Sequence, residues 1–194
     1  YYFLYSFYID YRNRKFKSMS TKEMFSAVYQ SNLWGEKGVV ANEFYSGPGS
    51  HSKIIVDEYV AAVKEFCRDN SGLVRAVDLG CGDFNVGKNI HSLFDSYIAA
   101  DIVDEVIARN ITKFDYENVQ FMVLDAIVED VPISDVVFIR EVFQHLKTAE
   151  IVSFLSNVKK STSCIVVTEK LPGSYSSFAH NLERGVGPNT RFSR

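Results

Sequence analysis

Apolar positions follow two rhythms along this chain. From Leu73 onward, uninterrupted apolar runs alternate with longer stretches of helical spacing, which predicts strands joined by helices. Five strands are expected, at Leu73 to Leu79, Tyr97 to Ala100, Val119 to Leu124, Val136 to Ile139 and Cys164 to Thr168. Helices are expected between them at Asn85 to Phe94, Asp104 to Lys113 and Thr148 to Lys159, whereas the third connection, Ala126 to Asp135, is short and carries Pro132. This alternation is the mark of βαβ units, so the expected class is α/β with a mostly parallel sheet flanked by helices. Upstream the rhythm is helical only. Ile55, Tyr59, Ala62, Val63 and Phe66 recur at spacings of three and four between Ser52 and Asn70, and Asp69-Asn70-Ser71-Gly72 ends that helix. An earlier helix opens with a capping box, Ser20 as N-cap and Glu23 three residues on, before Met24, Phe25 and Val28. The two are joined by Ser31 to Gly35 and a polar stretch ending in Ser46-Gly47-Pro48-Gly49-Ser50, which has loop chemistry.

Composition narrows the picture. With 194 residues, 46% hydrophobic and 23% charged, the chain is of folded type. One domain able to bury roughly 70% of its unfolded surface is expected. A net charge of −3 gives no general attraction to a nucleic-acid backbone, so no nucleic-acid partner is expected. Cys67, Cys81 and Cys164 are far apart, which suggests neither a zinc site nor a disulfide framework and suits a reducing cytoplasm. No run of about 18 apolar residues is present, and no membrane partner is expected. The first residues, YYFLYSFYIDYRNRKFK, are aromatic and then basic. They read as an atypical extension over 1–18, with an edge or docking segment and the stub of a membrane anchor as alternatives, and Met19 as a natural start.

The candidate chemistry sits where the first strand ends. Val77-Asp78-Leu79-Gly80-Cys81-Gly82-Asp83 places two glycines at a sharp turn, and the helix expected behind them would offer unpaired N–H groups to a nucleotide-like ligand. Asp101 closes the second strand twenty-one residues after Gly80, a position from which a carboxylate accepts both hydrogen bonds of a ribose diol. Asp125 closes the third strand. Each aspartate taken singly is also a turn or cap residue, but three of them at successive strand ends line one crevice, where open parallel sheets bind ligands.

Asp78-Leu79-Gly80-Cys81-Gly82 resembles the first motif of class I S-adenosylmethionine-dependent methyltransferases, acidic-x-Gly-x-Gly. Phe84 stands where that motif often has a third glycine. A nicotinamide-binding protein would more often show GxGxxG. The resemblance covers about Trp34 to Thr168, and Trp34-Gly35, Ser46 to Ser50 and Arg140 to Leu146 are similar to a bacterial subgroup of small methyltransferases of unassigned substrate. It implies a Rossmann-like doubly wound sheet, with 19–70 as N-terminal helices and a cofactor-covering loop and 71–194 as the S-adenosyl-L-methionine-binding core. Such proteins usually complete a seven-stranded sheet. Here 171–194 shows no strand alternation, so the last two strands are expected to be missing and the core to be C-terminally truncated.

The resemblance also implies residue roles. Gly80, Cys81 and Gly82 pass the methionine moiety and Asp78 orients its ammonium. Asp101 with Ile102 holds the ribose, and Asp125 with Ala126 receives the adenine. Ser46 and Gly47 fold over the cofactor, and Arg140 faces the methionine carboxylate or the substrate. The activity implied is methyl transfer to a small-molecule or glycan-like acceptor. Because a sulfonium already carries an activated methyl group, placement in line and exclusion of water do most of the work. A base is needed only if the nucleophile must lose a proton. His145, six residues past the fourth strand, is the candidate and Glu141 the reserve, with a polar packing role as the alternative for His145. His51, His91 and His180 read as ordinary surface or helix positions. Trp34, Tyr45 and Phe143 read as core before ligand-stacking residues. A cofactor-binding relic without turnover and an NAD(P)-dependent oxidoreductase are the competing functions.

Overall fold

The computed structural model describes residues 16, 18–35 and 44–169. The aromatic extension (apart from Phe16 and Ser18), His180 and the tail over 171–194 lie outside these residues. In chain order the elements are α1 (Thr21–Gln30), α2 (Pro48–His51), α3 (Lys53–Asp69), β1 (Arg75–Leu79), β2 (Ser96–Asp101), α4 (Asp104–Lys113), β3 (Val119–Val123), β4 (Val136–Arg140), α5 (Thr148–Ser161) and β5 (Ile165–Thr168). The strands form one parallel sheet in the order β3-β2-β1-β4-β5. It is a Rossmann-like sheet, with β1 at its centre.

Strand alternation sends successive side chains to opposite faces. Val77, Leu79, Val137 and Ile139 face one way and pack with Phe154 and Val158 of α5. Ala76, Tyr97, Ala99, Val136 and Phe138 face the other way and pack with Val63 of α3 and with Phe84. Strand boundaries shift from expectation by at most two residues, which matters only at β2, where Asp101 is the last paired residue, opposite Val123.

One expected helix is absent. Over Asn85 to Phe94 the chain forms two short 3₁₀ turns, Gly87–Asn89 and His91–Leu93, instead of an α-helix. Side-chain amides satisfy the carbonyls that a helix would have used. Asn89 Nδ2 donates to the Asn85 carbonyl at 2.8 Å, and Asn118 Nδ2 donates to those of His91 and Phe94, both at 2.9 Å. Such local competition, with Gly87 in the middle of the segment, outweighs its weak helical periodicity.

The capping box at Ser20 is present, with the Ser20 N–H donating to Glu23 Oε2 at 2.7 Å. Helix α1 lies across the carboxyl ends of the strands. Thr21 Oγ1 donates to Glu150 at the start of α5 (2.7 Å), while Lys22 pairs with Asp104 and Gln30 with Glu105 at the start of α4. Phe16 is buried against Met24 and Val28. No helix among the described residues is long and apolar enough to cross a membrane.

Candidate functional site

The carboxyl ends of β1, β2 and β4, with α1 and the 46–52 segment, line a partly open cavity of about 850 Å³. This is toward the upper end of the roughly 300–1,000 Å³ typical of ligand sites, with room for a nucleoside and a second small molecule. All the residues to which the resemblance gives a cofactor role line it, from Ser46 and Gly47 through the Gly80 to Gly82 turn to Ala126 and Arg140, and so do His145 and Glu141.

The glycine turn is built by backbone geometry and held from several sides. Gly80 and Gly82 take φ of +79° and +55°, and Phe84 follows at +61°. Phe84 thus adopts the left-handed conformation that the missing third glycine would have supplied. Its ring is fully buried, with Phe121 and Phe114 at centroid distances of 4.9 and 5.2 Å. Burying a phenylalanine contributes about 1.5–3 kcal/mol, which offsets a left-handed cost of about 1–2 kcal/mol. A side chain at Gly80 would meet Val142, and one at Gly82 would meet Ser46 and the Tyr29 hydroxyl. Both glycines are therefore required by the protein's own packing.

The turn's N–H groups are not left open by a helix. Gly82 N–H donates to Asp101 Oδ2 at 3.0 Å, Asp83 N–H to Ser46 Oγ at 2.8 Å and Asn85 N–H to Asp83 Oδ1 at 3.1 Å. On the acceptor side, the Gly82 carbonyl receives Asn110 Nδ2 at 2.7 Å and the Asp83 carbonyl receives Arg109 at 3.0 Å. Asn110 is fully buried on α4. It occupies the apolar stripe of Val103, Val106 and Ile107, and a polar residue on such a stripe was the sequence signal for it.

Asp101 is itself occupied. Oδ2 takes the Gly82 amide and Oδ1 takes the Val103 N–H at 3.0 Å, so the carboxylate braces the turn and starts α4 while each oxygen keeps further accepting capacity. Asp78, inside β1, accepts the Tyr97 O–H at 2.9 Å. Asp125 lies two residues past β3, and its Oδ1 accepts the Ile127 N–H at 3.0 Å. Ala126 is buried, and Ile102 packs beside Val103. Arg140, on the cavity wall, donates to the Gly49 carbonyl (2.8 Å) and Ser50 Oγ (3.1 Å) and lies over the Tyr59 ring, pinning the covering segment. His145, on a 3₁₀ turn after β4, is buried with Phe25 and Trp34 at centroid distances of 5.8 and 5.2 Å. Glu141 takes φ of +55° and its carboxylate abuts Gly49.

Two groups read as ordinary from the sequence have structural work. His51 Nε2 lies 2.6 Å from Asp83 Oδ2, which also accepts the Ser46 N–H at 3.0 Å, and Tyr45 stacks on the His51 ring. Asp83, His51 and Ser46 thereby fasten the covering segment to the glycine turn. His91 faces Asn118 Oδ1 at 2.9 Å. Neither pairing had a sequence signal, because the partners are 32 and 27 residues apart.

Electrostatics follow from burial. Desolvation raises Asp78 and Asp101 to about 6, outweighing the Tyr97 hydroxyl on the first and the backbone amides on the second. At Asp83 burial also acts upward, but the bonds from His51, Ser46 and Asn85 prevail and hold it below the ordinary value. A carboxyl whose folded pKa exceeds its unfolded value of about 3.9 stabilises the fold below that pH, and the contribution is lost as pH rises through about 6. The ligand-free protein is therefore expected to be more stable near pH 5 than near pH 7.5 by about 1 kcal/mol for each of the two carboxyls. Thermal melts across that window check it, and a melting temperature that rises with pH there contradicts it.

Comparison with known proteins adds the fold. No protein-family model matches the sequence, and neither does any curated protein. Solved structures do match in shape. A DhpI–SAM–HEP complex aligns with a TM-score of 0.58 and 18% identity over 90% of this chain and 80% of that one. Magnesium protoporphyrin IX methyltransferase from Synechocystis with bound SAM gives 0.55 and 18%, over 75% and 74%. A S-adenosylmethionine-dependent methyltransferase from Clostridium acetobutylicum gives 0.51 and 17%, over 58% and 48%. The fold is that of class I methyltransferases. The chain spans about half the length of the Clostridium protein and, at 53%, of CalS10, an amino pentose methyltransferase from Micromonospora echinaspora. In this class I methyltransferase fold the β1 turn, the end of β2 and the region after β4 share the cavity described above. Among the described residues no group of three or more His, Cys, Asp and Glu side chains could hold a metal ion.

Proposed function

We propose that the protein is an S-adenosylmethionine-dependent methyltransferase acting on a small-molecule or glycan-like acceptor. One observation carries the reading: the left-handed Gly80 to Gly82 turn and the Asp101 carboxylate, joined at 3.0 Å, face one cavity at the carboxyl edge of a parallel sheet. A turn without side chains admits a ligand closely, and a buried carboxylate beside it suits a diol or a cation. The residues fit the group: Gly80, Cys81 and Gly82 would flank the amino-acid part, Asp78 the ammonium, Asp101 and Ile102 the ribose, and Asp125 and Ala126 the base. Ser46 and Gly47 would cover it. When bound, S-adenosylmethionine supplies an activated methyl group.

The chain's own residues then exclude water and handle a proton. Phe25, Tyr29 and Trp34 roof the cavity. Burial at such a site strengthens electrostatic contacts and keeps the methyl group from water. His145 in the wall, or Glu141 at the end of β4, would take the proton of a hydroxyl or amine acceptor. Three free cysteines accord with a reducing, cytoplasmic setting.

Calorimetry and thermal shift with S-adenosylhomocysteine and with NADH test the cofactor. S-adenosylhomocysteine is expected to bind and raise the melting temperature by mass action, and NADH to do neither; the reverse pattern returns the oxidoreductase. Cofactor binding without transfer to any acceptor leaves the inert relic. Once an acceptor is found, His145→Ala is expected to lower kcat by roughly 10²- to 10⁴-fold with S-adenosylhomocysteine affinity intact. Near-normal turnover in the folded variant removes His145 as the base.

A further inference from the structure

The 46–52 segment runs along the cavity wall without a core of its own. Ser46, Gly47, Gly49 and Ser50 line the cavity, and no side chain of α2, which lies within the segment, is buried. Both flanks are anchored in apolar packing: Phe44 joins the cluster of Tyr29 and Val103, and α3 is held by Val56 and Val63. Between those anchors the attachment is polar. Asn85 Nδ2 donates to the Ser50 carbonyl at 2.7 Å, Arg140 holds Gly49 and Ser50, and the Tyr29 and Ser46 hydroxyls are 3.1 Å apart. A stretch held by hydrogen bonds with little apolar burial opens at a fraction of the cost of global unfolding. Gly47, at a φ of +91°, supplies a backbone position at which such a stretch can turn.

Asp83 is the hub of that attachment. Its N–H donates to Ser46 Oγ at 2.8 Å, and its Oδ2 meets both the Ser46 N–H at 3.0 Å and His51 Nε2 at 2.6 Å. Burial acts to raise this carboxyl, but the bonds from His51 and Ser46 hold it below its ordinary value. It is therefore ionised at neutral pH, and the bonds it accepts are charge-assisted. Ser46 ties the near end of the segment to this oxygen, and His51, stacked by Tyr45, ties the far end. Neither Asp83 nor His51 lines the cavity. Any effect they have on a ligand passes through the segment.

We propose that the 46–52 segment is a strap that lifts for ligands to enter and leave, and that the His51–Asp83 pair is its latch. The inference rests on reading the cavity as the S-adenosylmethionine site and adds a gate to it. His51 and Asp83 are positioning residues. Because the latch joins protein to protein, losing it eases lifting whether the cavity is filled or not, so association and dissociation accelerate together. Loss of a ligand contact would instead raise dissociation and weaken affinity.

Stopped-flow binding of S-adenosylhomocysteine to the full chain, and amide hydrogen exchange of the same chain alone, test it. His51→Ala is expected to raise both rate constants about tenfold, the loss of one charge-assisted bond, with Kd within about twofold. Asp83→Asn, which keeps an acceptor for the Asn85 N–H, is expected to do at least as much, and the double variant no more than Asp83→Asn alone. In the chain alone, His51→Ala is expected to speed amide exchange about tenfold over 46–52 and to leave the amides of β1, β2 and β4 unchanged. Unchanged amide exchange over 46–52, or faster exchange throughout the chain, overturns the proposal. So does a dissociation rate that rises without the association rate, or additive effects in the double variant. If the wild-type chain fails to bind S-adenosylhomocysteine, the cofactor reading falls, and amide exchange still decides the latch.

Discussion

Asp101→Ala is expected to weaken S-adenosylhomocysteine binding by about 2–4 kcal/mol, measured by calorimetry at neutral pH. The loss has two sources. The first is the pair of charge-assisted bonds that the carboxylate would offer a ribose. The second follows from the structure: the same carboxylate accepts the Gly82 and Val103 amides, so its removal also frees the glycine turn and the start of α4. Asp101→Asn separates them, because its carbonyl oxygen can still brace one amide while the charge is gone. It is expected to fall between wild type and Ala. Because ionised Asp101 is costly to bury, Asn should also cost less stability near pH 7.5 than near pH 5. Unchanged affinity in a folded Asp101→Ala variant sinks the ribose assignment.

Phe84→Ala is expected to cost about 3–5 kcal/mol of stability, the usual range for deleting a fully buried phenylalanine. The ring joins Phe114, Phe121 and Tyr97 beneath the glycine turn, so its loss opens the core on the β2 and β3 side of the sheet. The backbone gives a sharper version. Glycine normally costs about 0.5–1 kcal/mol relative to alanine, but at a φ of +61° alanine is strained and glycine is not. Phe84→Gly is therefore expected to be at least as stable as Phe84→Ala. Denaturant unfolding of the two variants decides it: a Gly variant clearly below Ala means that the left-handed turn is not held in solution.

The sheet was legible because its cause is local. Uninterrupted apolar runs such as Val136 to Ile139 must be buried on both faces, and their alternation with helical stretches leaves few ways to arrange them other than a parallel sheet. The cavity's floor was legible for the same reason. Once β1 to β3 are parallel, the residues at their carboxyl ends, from the Gly80 to Gly82 turn to Asp101 and Asp125, must share one edge. The failed helix over Asn85 to Phe94 shows where local reading ends, since the carbonyls of His91 and Phe94 are claimed by Asn118, 27 and 24 residues away.

The sequence by itself thus determined the α/β class, the parallel sheet and the edge that carries the cavity, because apolar periodicity and glycine placement act over a few residues. Only the tertiary structure decided what encloses that site: Ser46 and His51 fastened to Asp83, Asn110 reaching Gly82, Arg140 turned to Gly49 and Ser50, and Glu169 brought under Phe143. These partners are between 26 and 91 residues apart where they cross elements. A buried polar group takes whichever partner the packed elements deliver to it, and that delivery is set by the sheet order and helix docking, not by its neighbours in the chain.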